Sequence, residues 1–196
     1  MPPTKQLWVL AGGNGAGKTT FYNHYLSKYG IKYINADAIA RVIDPDHPEL
    51  FSYEAATLAA GMREDLLRQG VSFCFETVFS HPSKIDFIAQ AKAYGYMVIL
   101  VYIHLIDPRL NEARVYQRTV EGGHSVPAEK IHSRIPGTMK QVKSALPLVD
   151  EAWFLDNSSE KNRFQQIVIM KSGLYEKKVS PLPEWAIDML PVQGSC

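Results

Sequence analysis

The sequence predicts an α/β fold, a central, mostly parallel sheet with helices on both faces and a helical lid. Three observations predict it. Short apolar runs of strand length alternate with longer helical patterns from residue 7 to residue 155, the order that a parallel sheet with crossover helices requires. The first of those runs ends in a glycine-rich turn that opens a helix. Further on, two helical segments meet at Gly122-Gly123 and carry basic residues at four-residue spacing, which puts each pair on one helix face.

Taken in order, the strands fall at residues 7–11, 33–35, 71–75, 97–104 and 152–155. Helices are expected at 18–28, 50–68, 82–94, 108–121 and 127–146, with Pro136-Gly137 breaking or kinking the last. Residues 165–170 read as one more strand, paired with 173–178, and the proline-rich tail from Ser180 is expected to drape over the surface. No repeat, low-complexity tract or linker marks a second domain. Residues 1–196 therefore read as one domain, with the lid at about 108–134 and the C-terminal strand pair and tail at about 160–196.

An apolar content of 46% over 196 residues is enough for the core of one ordinary domain. The 21 basic residues nearly cancel the 20 acidic ones, so the overall charge exerts no pull toward nucleic acid or anionic membrane, and any anion site must be local. Neither the N-terminus, MPPTKQ, nor the apolar run at 96–106, interrupted by His104, has the length of a signal or a membrane span. A cytoplasmic protein without a membrane partner is expected. Cys74, inside an apolar run, and Cys196, the last residue, form neither a metal-ligand spacing nor a disulfide framework, and both read as reduced and structural.

The turn after the first strand is Gly12-Gly13-Asn14-Gly15-Ala16-Gly17-Lys18-Thr19, followed by Thr20. This satisfies the Walker A spacing in its proper strand-to-helix context. Such a loop wraps its backbone N–H groups around phosphate oxygens, which glycine permits through positive φ and close approach. Lys18 then supplies a point charge at the β and γ phosphates of ATP, the Thr19 hydroxyl is placed to ligate Mg²⁺, and the helix N-terminus adds partial positive charge. The fold is thus a three-layer P-loop NTPase.

Neither the signature of a transporter ATPase nor a GTPase base-reading motif is present, which leaves a small kinase or a nucleotide-dependent regulator. A kinase needs an acid for the acceptor hydroxyl's proton and cations over the γ-phosphate. Asp37, two residues beyond the second strand, stands where a doubly wound sheet places ligands and is the candidate general base; the competing role is a helix N-cap. Glu76 follows the third strand and is placed to orient Mg²⁺ through water or to hold the acceptor, against the alternative of a solvated strand end. Arg114 and Arg118 share one helix face, Lys130 and Arg134 another, across the glycine break. That is the layout of a lid closing over ATP, the alternative being a solvated basic face with a glycine cap. His124 reads equally as a phosphate contact or as a residue after the cap, while His81 and His104 show no partner spacing and read as structural.

Taken together, AGGNGAGKTT, INADAIA, FCFETVFS, RVYQRTVEGGHSVP, IHSR and FLDNS resemble the zeta toxin family of P-loop kinases from Trp8 to about Ser158. Characterised members phosphorylate UDP-N-acetylglucosamine on its sugar and are held inactive by a small antitoxin. The resemblance implies ATP and Mg²⁺ at Lys18 and Thr19, Asp37 as base, Glu76 as second acidic residue, Arg118 and Arg134 as γ-phosphate arginines, and Asn157 as a base contact or a support of that pocket. Glu64 would be a further acceptor contact. Where the family carries a glycine between the Glu and Thr of the third-strand motif, Glu76 and Thr77 are adjacent here, and the chain is shorter around the acceptor site. A UDP-sugar acceptor and an antitoxin partner are expected by this likeness, with a nucleic-acid partner disfavoured by the charge balance. A kinase with another acceptor (nucleoside, antibiotic or nucleic-acid end) or an ATP-sensing regulator are the alternatives.

Overall fold

A computed structural model describes residues 4–121 and 125–191. Seven strands, β1 (Gln6–Ala11), β2 (Lys32–Ile34), β3 (Phe73–Thr77), β4 (Met97–His104), β5 (Glu151–Asp156), β6 (Gln165–Lys171) and β7 (Leu174–Lys177), form one sheet in the order β2-β3-β1-β4-β5-β6-β7. The pairings from β2 to β5 are parallel, and β6 and β7 add antiparallel at one edge. The helices are α1 (Lys18–Phe21), α2 (Ala36–Ile43), α3 (Ser52–Gln69), α4 (Ser83–Ala93), α5 (Pro108–Val120), α6 (Ala128–Ala145) and α7 (Glu184–Met189).

Alternation along the central strands fills two cores. Leu7 and Val9 of β1 join Phe73 and Phe75 of β3 and Leu100 of β4 beneath Leu67 of α3, Ile88 of α4, Val142 of α6 and Met189 of α7. Trp8 and Leu10 face the opposite core with Phe21, Leu26, Val101, Ile103 and Phe164. A sheet buried on both faces requires strands without polar alternation, and β1 and β4 are such strands. Because β1 lies between β3 and β4, its carboxyl end opens at the point where the chain crosses from one side of the sheet to the other, the crevice in which open α/β sheets bind ligands.

Four expectations are corrected. The helix expected at 18–28 is α1 for one turn only and continues as a π turn over Tyr22–Leu26 and a 3₁₀ turn over Ser27–Tyr29. β3 runs two residues later than expected, so Glu76 and Thr77 lie within the sheet, opposite Leu10 and Ala11 of β1. Of the break or kink expected at Pro136-Gly137, the break does not occur: α6 runs through Pro136. Proline there forfeits one N–H, but Ile131, Thr138 and Val142 are buried on either side, and the Thr138 hydroxyl donates to the Val78 carbonyl at 2.8 Å, contacts that hold the helix together across the missing bond. Finally, the tail does not merely drape, for Trp185, Ala186, Met189 and Leu190 are buried in the first core.

Trp185 covers His104, the last residue of β4, with ring centroids 4.4 Å apart, and His104 shares a 2.9 Å hydrogen bond with the Tyr102 hydroxyl. Burial pushes the His104 pKa down to about 4, against the opposing pull of the Asp156 charge. A group with a depressed histidine pKa stays neutral in the fold but takes up a proton in the unfolded chain, so protonation favours unfolding. Stability should therefore be full above pH 6.5 and fall as the pH drops toward 4, by about 3 kcal/mol from this group. Urea midpoints measured across that window should show the loss in the wild type and a flatter profile in His104→Gln; superimposable profiles would remove His104 as its origin.

Candidate active site

The loop after β1 is shaped by steric necessity. A Cβ on Gly12, at φ +151°, would stand 2.4 Å from the Ile103 carbonyl oxygen, and one on Gly17, at φ +101°, 2.6 Å from Asn157 Nδ2. Both lie below any tolerable contact, so the backbone passes there only as glycine. Side chains then tie the loop down from outside: Asn111 Nδ2 donates to the Asn14 carbonyl at 2.7 Å, and Asn157 Nδ2 to the Ala16 carbonyl at 2.9 Å. Asn157 Oδ1 accepts from the Phe164 N–H at 3.3 Å, and its carbonyl accepts from Arg114 Nη2 at 3.0 Å. Of the two roles expected for Asn157, the geometry is that of a support. Arg114 is anchored on that support, outside the cavity that Arg118 lines.

Lys18 is buried, not exposed as a loop lysine would be, and its Nζ donates to the carbonyls of Gly12 at 3.0 Å and Gly13 at 2.9 Å. Desolvation lowers its pKa; the charges of Glu76 and Asp37 oppose that shift, and Arg118 adds to it. The four groups therefore share one electrostatic field, although they come from α1, β3, α2 and α5.

Asn35, not Asp37, caps α2: its Oδ1 accepts from the N–H groups of Asp37 at 2.8 Å and Ala38 at 3.2 Å. The Asp37 side chain is relieved of that duty and lines the cavity from the first helical turn. Glu76 Oε2 accepts from the Thr19 hydroxyl at 2.7 Å and from the Tyr33 hydroxyl, which in turn accepts from Asn35 Nδ2 at 3.2 Å. Burial and the Glu76 charge push the Tyr33 phenol well above its ordinary range, so it remains a neutral donor. Tyr33 also stacks on Tyr22 at 4.0 Å. Neither Tyr33 nor the capping role of Asn35 was foreseen; the signal available was an Asn two residues before Asp at the end of a strand, a common cap spacing.

The Thr19 hydroxyl and Glu76 carboxylate form a hard oxygen pair that fits Mg²⁺. Magnesium sites in phosphoryl-transfer proteins use one or two protein oxygens with substrate phosphates and water. No cluster of three or more His, Cys, Asp or Glu suited to a metal occurs among the described residues.

Lys18, Asn35, Asp37 and Glu76 line a cavity of about 800 Å³. Lys18, Arg118, Lys130 and Arg134 line it from the loop and the lid helices, with Ser125 to Pro127 between them, while Gly122, Gly123 and His124 lie outside the described residues. Arg63 of α3 and Lys84 of α4 line it as well, bringing the cations to six against three acids, Asp37, Glu49 and Glu76. A chain of net charge +1 thus concentrates positive charge at one place. Sequence reasoning missed Arg63, Lys84 and His81, which lines the same cavity and bonds to Ser83 at 3.0 Å. Glu64, the further acceptor contact implied by resemblance, instead pairs with Arg68 at 2.9 Å and does not line the cavity.

The model of the zeta toxin family matches residues 2–166. The chain belongs to the zeta toxin family of P-loop kinases. An uncharacterized protein of Haemophilus influenzae is 31% identical over 137 residues, 66% of this chain and 97% of that protein. Among solved structures, the AvrRxo1-ORF1:-ORF2 complex with ATP superposes with a TM-score of 0.74 at 17% identity, covering 98% of this chain and 66% of the other. The chain spans just under two thirds of that neighbour's length, 65% in its sulfate-bound form. A chain of the PezAT chromosomal toxin-antitoxin system of Streptococcus pneumoniae gives a TM-score of 0.65 at 14% identity over 96% of this chain and 77% of the other. A putative kinase of Chloroflexus aurantiacus gives 0.61 at 16% identity over 82% and 90%. At these identities the structures attest the fold.

In this zeta toxin family chain the missing glycine between Glu76 and Thr77 does not displace the carboxylate from the P-loop. The pairing of Glu76 with Leu10 and of Thr77 with Ala11 sets both beside the end of β1. Immediately beyond, the Thr77 hydroxyl accepts from the Phe79 N–H at 2.9 Å, and Phe79 takes φ 62°. The strand end is turned sharply and pinned, and Val78 to His81 become a wall of the cavity.

Proposed function

We propose that the protein is an ATP-dependent kinase of a small hydroxylated metabolite, with a UDP-N-acetyl sugar as the acceptor, acting as the toxin of a toxin-antitoxin pair with a small antitoxin partner. The observation that carries the kinase reading is the convergence of Asp37, Glu76 and Lys18 on one cavity roofed by Arg118 and Arg134. A sensor of ATP needs no free carboxylate at the acceptor side, and with Asn35 serving as cap Asp37 has no structural duty that would account for it. The sugar nucleotide and the antitoxin are supported by family membership and by the toxin-antitoxin neighbour.

The acceptor hydroxyl oxygen attacks the γ-phosphorus of ATP in line. Its proton passes to Asp37, and the bond to the β,γ-bridging oxygen breaks to release ADP. Lys18 exchanges its two loop carbonyls for β and γ phosphate oxygens. Thr19 and Glu76, the latter through water, would hold Mg²⁺, which would supply neutralising charge to the triphosphate. Arg118 and Arg134 spread the charge that develops on the transferring group. Loop atoms from Gly12 to Gly17, with Thr20 beside them, would hold the triphosphate. No helix among the described residues is long and apolar enough to cross a membrane, and a cytoplasmic site of action accords with ATP as donor.

Incubation of the pure protein with ATP, Mg²⁺ and a panel of sugar nucleotides, nucleosides and oligonucleotides, read by mass spectrometry for one added phosphate, tests this. A phosphorylated UDP-N-acetyl sugar is the expected product. Modification of a nucleoside or oligonucleotide would replace the acceptor, and ATP binding without any transfer would favour the sensor.

A further inference from the structure

The cations of the cavity arrive from two directions in the chain. Lys18, Arg118, Lys130 and Arg134 belong to the P-loop and the lid helices, whereas Arg63 and Lys84 come from α3 and α4, the helices on either side of β3 in sequence. The Arg63 guanidinium lies over the rings of Phe75 at 5.1 Å and Phe87 at 5.5 Å. Two aromatic faces fix its plane, so less side-chain freedom is lost when it binds something. Its Nε is buried without a hydrogen-bond partner, and neither Arg63 nor Lys84 makes an ion pair among the described residues, since the adjacent Glu64 is engaged by Arg68. Asp37, Glu49 and Glu76 line the same cavity without bridging to either.

Two half-desolvated cations near one another are unfavourable in the empty protein. Burial, and after it the neighbouring Arg63 charge, lowers the Lys84 pKa, and burial does the same to Arg63. An arrangement of this kind becomes favourable when an anion enters between the two charges. A fixed guanidinium fork beside a point charge suits the several oxygens and double charge of a phosphate better than a single carboxylate. We propose that Arg63 and Lys84 form a second anion subsite, which binds a phosphate group carried by the phosphoryl acceptor and so selects phosphorylated acceptors over neutral ones. This rests on the kinase reading for its purpose but not for its binding. Anchoring the acceptor by a remote phosphate supplies the energy that holds its hydroxyl toward Asp37.

Calorimetric titration of inorganic pyrophosphate, in magnesium-free buffer, into full-length protein whose P-loop is filled with fluorescent mant-ADP tests the subsite. One pyrophosphate should bind without releasing the nucleotide, and Arg63→Met and Lys84→Met should each weaken it at least about tenfold, the scale of one charged hydrogen bond. Release of mant-ADP in step with pyrophosphate, or undiminished affinity in both variants, overturns the proposal. Lys84 is half-buried in the first turn of α4 and its side chain makes no hydrogen bond or ion pair among the described residues, so its variant decides the matter even where loss of Arg63 from its aromatic seat unfolds α3. If mant-ADP does not bind at all, the P-loop reading fails instead, and the same titration on Lys18→Ala protein still reads the α3–α4 subsite.

Discussion

Lys18→Ala should abolish measurable phosphoryl transfer, a loss of at least about a hundredfold by the scale of a single preorganised donor at the reacting group. ATP affinity should fall with it. The substitution removes the one cation of the loop, and Arg118 and Arg134 line the cavity from the lid helices instead. The effect on stability should be small, through cancellation. Two hydrogen bonds to the Gly12 and Gly13 carbonyls are lost, each worth about 1 kcal/mol. In return the fold no longer holds a desolvated ammonium close to Arg118. Thermal melting and ATP titration on the same sample separate the two. A variant that binds and turns over ATP like the wild type would end the P-loop reading, and a variant that melts far below it would show the lysine to be structural.

How much of this was legible in the sequence differs between the loop and the walls. The P-loop reads directly because its chemistry is local: backbone N–H groups, glycines and one lysine lie within eight consecutive residues. Asp37 and Glu76 read nearly as well, since the carboxyl end of a parallel strand is a predictable address even when the strand boundary slips by two residues, as it does at β3. Arg63, Lys84 and Tyr33 did not read, because each is an ordinary helix or strand residue whose meaning arises from which faces converge after folding. Arg63 sits on a helix whose other arginine, Arg68, is only a surface partner for Glu64 and Asp65. The four-residue spacing of Arg114 and Arg118 placed them on one face, yet the carbonyl of Asn157, 43 positions away, draws off Arg114. The tail failed for a related reason: α7 is too short for its period to show among prolines, and what holds it is long-range packing on Tyr102 and His104.

Asp37→Asn should separate chemistry from structure more cleanly than any other change in this site. The amide keeps the shape of the carboxylate but cannot accept the acceptor's proton, so transfer should fall by about two to four powers of ten, the usual span of a positioned base. The α2 cap survives untouched, because it is Asn35 that accepts from the Asp37 and Ala38 N–H groups. What the fold loses is a negative charge in the first turn of a helix, worth about 0.3–1 kcal/mol. One of the two acidic charges that favour the protonated form of Lys18 is lost as well, while Glu76 remains. ATP and Mg²⁺ should therefore still bind, since Thr19 and Glu76 keep their 2.7 Å contact. Rapid-quench transfer to the identified acceptor, ATP titration and a melting curve together read all three consequences. Full transfer in the variant removes Asp37 from the mechanism, and equal loss of ATP affinity and rate reassigns it to holding Lys18 charged.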